Sequence, residues 1–144
     1  MGKFLILIFY ILFVAGVSMA STECQPYLEL QSQYACEKPN YFLDFGYKYC
    51  RLFEKHSEGF SPKGQATLPF IRSCLIAQIE NEPILTCKTA KSLALQHHFD
   101  CYVQSGFCDL SITDKWKVYR VVRKELRDLE FHATMKKIAR ACHK

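Results

Sequence analysis

The chain has 144 residues, 49% of them hydrophobic and 23% charged, with a formal net charge of +5. That length suits one domain, and no repeat, low-complexity stretch or second long apolar segment follows the N-terminus. The charge is uneven: Ser21 to Asp114 hold eight Lys/Arg and eleven Asp/Glu, whereas Lys115 to Lys144 hold ten and three. The basic final quarter calls for an acidic partner.

The N-terminus reads as a secretory signal peptide over residues 1–20. Lys3 precedes an apolar run from Phe4 to Val14, and small residues lead to Ser18-Met19-Ala20. The run is shorter than the ~20 residues of a membrane span, so no transmembrane anchor is expected. Residues 21–144 then form one secreted, extracellular domain. For such a protein a sulfated glycan or an anionic lipid is the expected acidic partner, not nucleic acid.

A first helix is predicted over residues 27–37, with Pro26 suited to its opening turn and Pro39 beyond its end. Asn40 can cap a second helix reaching His56. Its core face would be Phe42, Phe45, Tyr49 and Phe53, with Cys50 beside them, and Gly46 would weaken it. Ser61 and Pro62 read as the cap and first residue of a third helix carrying Ala66, Phe70, Ile71, Cys74, Leu75 and Ile79. Pro69 within it should kink it or delay its start.

A fourth helix is predicted over residues 84–105, with Cys87, Ala90, Ala94, His98 and Cys101 on one face and Gly106 just past its end. The remaining chain lacks Gly and Pro, and Ser111 or Thr113 can cap a helix there. Trp116, Tyr119, Val122, Leu126 and Leu129 are predicted to form its apolar stripe. Lys117, Arg120, Arg123, Lys124 and Arg127 would gather on the opposite side as a solvated face or an anionic-glycan surface. The fold class is all-α.

Eight cysteines follow the cleavage point: Cys24, Cys36, Cys50, Cys74, Cys87, Cys101, Cys108 and Cys142. An even count in a small secreted chain implies disulfides. Their number alone leaves the pairing open. Zinc is disfavoured because no CxxC pair occurs.

Catalytic signals are weak. The segment HHFDCY places His98, Cys101 and Tyr102 at the spacing of the secreted phospholipase A2 helix. Phe99 stands where the calcium-ligand Asp belongs, and no glycine-rich calcium loop lies upstream. His97 and His98 are adjacent, pointing ~100° apart on a helix, whereas two metal ligands on one helix need i, i+4 spacing. One should lie at the surface and one half-buried. No GxSxG, HExxH or phosphate loop occurs. Neither an enzyme, a metal nor a cofactor is expected.

The cysteine spacing is the informative feature: Cys50-x23-Cys74-x12-Cys87-x13-Cys101-x6-Cys108-x33-Cys142. It resembles the stanniocalcin family, whose members share the C-x23-C, C-x13-C and C-x6-C gaps. Phe60-Ser61-Pro62-Lys63-Gly64-Gln65-Ala66, Ser73-Cys74-Leu75-Ile76-Ala77 and Cys101-Tyr102 are similar to stretches of that family. The resemblance covers about three quarters of residues 21–144. It implies the pairs Cys24–Cys50, Cys36–Cys87, Cys74–Cys101 and Cys108–Cys142. It also implies a secreted signalling factor with hormone-like activity, linked to calcium and phosphate homeostasis. Its partner would be an extracellular receptor or protease, and a sulfated glycan would be a further ligand.

The implied Cys108–Cys142 bond has a structural consequence. A straight helix from Thr113 to Cys142 would be ~43 Å long, and a disulfide needs Cα atoms within ~7 Å. The last segment should therefore break between Arg127 and Thr134. The expected architecture is a disulfide-stapled helical bundle ending in a helical hairpin. The family's extra N-terminal disulfide, N-glycan sequon and C-terminal intersubunit cysteine have no counterpart here, so no covalent dimer through that cysteine is expected. The alternative from another class is a disulfide-rich helical toxin or secreted effector on the same scaffold, since fold does not settle function.

Overall fold

A computed structural model describes Thr22 to His143; the expected signal peptide lies outside the described residues. The architecture is all-α: α1 Gln25–Tyr34, α2 Lys48–Lys55, α3 Pro62–Glu80, α4 Ala90–Gln104, α5 Ile112–Val122 and α6 Leu129–Ala141. No strand occurs among the described residues, and none of the helices is long and apolar enough to cross a membrane.

Disulfides join Cys24 to Cys50, Cys36 to Cys87, Cys74 to Cys101 and Cys108 to Cys142. These are the four pairs that the spacing resemblance implies. Cys74–Cys101 ties α3 to α4, and Cys108–Cys142 ties the turn after α4 to the end of α6. Cys101 and Cys108 are therefore not partners, although only six residues separate them.

Local chemistry moves several helix ends. α1 stops at Tyr34, short of Glu37, because Ala35 turns left-handed at φ 48° and its N–H donates to the Gln31 carbonyl. Beyond it the Cys36 carbonyl accepts from Gln31 Nε2 at 2.8 Å and Asn40 Nδ2 at 3.2 Å. That holds Cys36 where it meets Cys87. Asn40 caps the next segment by accepting from the Leu43 N–H.

The segment leading to α2 is a wide π-helical stretch, Phe42–Tyr47. Gly46 is required there rather than merely tolerated. A Cβ at this position would lie 2.4 Å from the buried Tyr27 ring.

α3 begins at Pro62 and continues through Pro69 without a delayed start. Of the residues this helix was expected to carry, Ile71 and Ile79 are buried, together with Leu68 and Ile76, whereas Phe70 and Ala66 are exposed. α4 starts at Ala90, six residues later than expected. Thr86 and Thr89 exchange backbone-to-hydroxyl bonds, and Thr89 Oγ1 donates to the Ile84 carbonyl. Threonine hydroxyls here replace the helical ladder. Cys87 sits in this turn, not on the helix face.

The core forms two clusters. One joins α1, the wide stretch, the end of α3 and the start of α4; the other joins α2, the start of α3, the end of α4, α5 and α6. Phe45 packs against both. Its ring lies 5.0 Å from Tyr49, 5.5 Å from Phe131 and 6.0 Å from His98.

The final segment does break. α5 ends at Val122, five residues before the expected window, and a 3-10 turn, Glu125–Arg127, follows. Asp128 is extended and caps α6 by accepting from the Phe131 N–H at 3.0 Å. Glu125 anchors the turn to α2, accepting from Lys48 Nζ at 3.0 Å and from the Tyr49 hydroxyl. Lys91 of α4 pairs with Asp128 and Glu130. α6 returns along α4, where Phe131 and Ile138 are buried.

Candidate functional site

The most built surface feature is a basic groove between α5 and the turn joining α2 to α3. Its position is set by a buried carboxylate. Asp114, 1% exposed, accepts from the Ser61 N–H at 3.1 Å and from the Ser61 hydroxyl. Ser61 in turn caps α3 by accepting from the Gly64 N–H, and Ser111 caps α5 by accepting from the Asp114 N–H at 3.0 Å. Gly64 permits this approach, since a Cβ there would stand 3.0 Å from both Asp114 Oδ2 and Phe60 Cβ. The Ser61 hydroxyl holds the Asp114 carboxyl below the usual carboxylate range, against the opposing effect of burial; the Ser61 N–H, the Ser111 hydroxyl and Lys117 add to the lowering. The starts of α3 and α5 are thereby fastened together, and the orientation of α5 is fixed.

Lys117 closes one side. Its ammonium donates to the Gly59 carbonyl, lies 3.8 Å from Asp114 Oδ1 and sits 5.9 Å from the Phe60 ring centre. Next to it His56, Gly59, Phe60, Arg120, Val121 and Arg123 line an open groove of about 360 Å³. Arg120 and Arg123 are exposed and form no ion pair among the described residues. Two guanidinium groups beside a fixed ammonium suit an anion with several oxygens, such as a sulfate or phosphate ester.

Of the five basic residues expected to act together, the structure places Lys117, Arg120 and Arg123 in this groove. Lys124 and Arg127 are exposed but lie outside its lining. His56 and Phe60, which form the far wall, come from a segment more than fifty residues away in sequence, with no local signal for the pairing.

The predicted apolar stripe needs correction. Val122 is buried and Leu126 half-buried against the core, as the stripe requires, but Trp116, Tyr119 and Leu129 are exposed, and α5 buries Asp114 and Val118 beside Val122. The aromatics share the outer face with the cations, because Trp116–Arg120 and Tyr119–Arg123 are i, i+4 pairs. The compact valines fill the narrow space against the core, and the large rings remain outside.

The histidines also differ from expectation: His98 is buried and His97 is half-buried. His98 Nδ1 donates to the Ala94 carbonyl at 2.6 Å, and burial lowers its pKa to about 4. His97 faces Glu82 at 3.1 Å. Cys24, Cys50 and Glu54 are the potential metal-ligand cluster among the described residues, but its two sulfurs are consumed in a disulfide.

Comparison of the chain with family models, with curated proteins and with solved structures finds no match.

Proposed function

We propose that this chain is a secreted stanniocalcin-like signalling factor with hormone-like activity, acting by surface recognition rather than covalent chemistry, and that its basic groove holds a sulfated glycan. The observation that carries the glycan assignment is the pairing of Arg120 and Arg123 beside Lys117 in one groove, with the only acid of α5 turned inward. Four disulfides support an oxidising, extracellular compartment. The agreement of their pairing with that implied by the resemblance supports the stanniocalcin-like reading.

The test is retention on immobilised heparin. The disulfide-intact protein should be retained at low salt and released as salt screens the charges. Arg120→Ala with Arg123→Ala should elute at clearly lower salt. Unchanged retention in that double variant would remove the groove from the proposal.

A further inference from the structure

We infer that the outer face of α5 is a docking surface for anionic phospholipid membranes. This rests on side chains that the glycan reading leaves idle. Ile112, Trp116 and Tyr119 are 87%, 57% and 43% exposed. Their spacing of four and three residues aligns them along one side of the helix, spanning about 10 Å. The Trp116 and Tyr119 rings are stacked, 4.8 Å apart and 17° from parallel. They already hold each other in place before any partner arrives.

The face cannot turn inward. The opposite side of α5 holds Val118, Val122 and the Asp114 carboxylate bound to Ser61. Lys115 donates to the Cys108 carbonyl and Lys117 to the Gly59 carbonyl, so both flanks are fastened. The exposed rings are therefore a fixed feature of the folded surface.

Charge selects the occupant. Residues 112–124 contain Lys115, Lys117, Arg120, Arg123 and Lys124, and their one acid, Asp114, is buried. Next along the chain, Glu125 is engaged by Lys48 and Tyr49, while Asp109 and Glu58 lie on neighbouring turns. Ring systems with a polar edge, flanked by Lys and Arg, suit the headgroup layer of a bilayer. The rings reach the acyl boundary while the cations meet phosphates. A second copy of this face would bring like charges together. A sulfated glycan would satisfy the arginines but leave Ile112 and Trp116 in water.

The experiment uses the disulfide-intact protein and sedimented vesicles of phosphatidylcholine, with or without phosphatidylserine. Trp116 is the single tryptophan, so its emission reports directly on this face. Binding to the phosphatidylserine vesicles, a blue shift of that emission and weak binding to phosphatidylcholine alone are expected. Ile112→Ser with Tyr119→Ser should weaken vesicle binding by about tenfold or more and leave heparin retention unchanged. Arg120→Gln with Arg123→Gln should weaken both.

Absence of vesicle binding or of a blue shift overturns the proposal, as does equal binding to both vesicle types. Full binding by the serine double variant does the same. A wild-type dimer that becomes monomeric in that variant would assign the face to a second copy. Heparin retention is scored separately, so loss of the glycan reading and loss of the lipid reading are distinguishable.

Discussion

α4 buries the imidazole of His98 and α5 the carboxyl of Asp114, and the fold suits the two in opposite electrical states. α4 is enclosed by α3 and α6, and its seven buried residues include His98. The imidazole has a carbonyl partner and aromatic neighbours, Phe45 and Tyr102, but no carboxylate beside it. Its neutral form is the one that fits. α5 buries only three residues, and one is the Asp114 carboxylate, which accepts from both the N–H and the hydroxyl of Ser61. Its charged form is the one that fits. Enclosure decides the first case and local donors decide the second.

The larger effect should be that of His98. Its folded-state pKa of about 4 lies below the ordinary 6.5, so the unfolded chain takes up this proton first as the pH falls. The contribution is complete above pH 6.5, declines through the interval to pH 4, and amounts to about 3 kcal/mol. Denaturant unfolding across that interval should show the loss, and His98→Leu should flatten it. A wild-type midpoint that stays constant from pH 7 to pH 4 would contradict the buried neutral imidazole.

Asp114 gives a second, lower window. Its pKa is lowered in the fold, so its contribution is present above the ordinary 3.8 and disappears as the pH falls through the folded-state value. At neutral pH, Asp114→Asn should cost about 2 kcal/mol, because an amide cannot accept from Ser61 as a carboxylate does. Urea unfolding measures this, and heparin retention should weaken alongside it if α5 loses its orientation. An unchanged midpoint would show that Ser61 does not fasten α5.

The smallest effect is expected on the outer side of α5. Ile112→Ser should change stability by no more than about 0.5 kcal/mol, since that side chain is 87% exposed. A larger loss in the same unfolding measurement would mean that the face is packed rather than free.

Much of the secondary structure was legible in the sequence. Ser61-Pro62, Ser111 and Asn40 act through their side chains or fixed backbone angles within a few residues, and all three mark helix starts in the structure. Asp128 was legible in principle: a capping carboxylate with Glu130 in the first turn signals the start of α6. No Gly or Pro marks this break. The Thr86–Thr89 turn was hidden because the apolar spacing of residues 84–101 continues through it, and side-chain competition for the backbone leaves no periodic trace.

The candidate site was legible only in part. The cluster of cations from Lys117 to Arg127 is a local property of the sequence. Which of them share a groove depends on His56 and Phe60 arriving from across the molecule. Trp116 and Tyr119 lie outside the core for a related reason. A helix offers several sides, and hydrophobicity alone does not say which one meets the bundle. The sequence by itself determined the helical periods, the local caps, the cysteine spacing and the basic final quarter, because these act between residues close in the chain. The tertiary structure alone decided that α5 turns its valines and Asp114 inward and its rings and arginines outward. That choice was made by long-range contacts, above all the Ser61–Asp114 bonds and the space left beside α2.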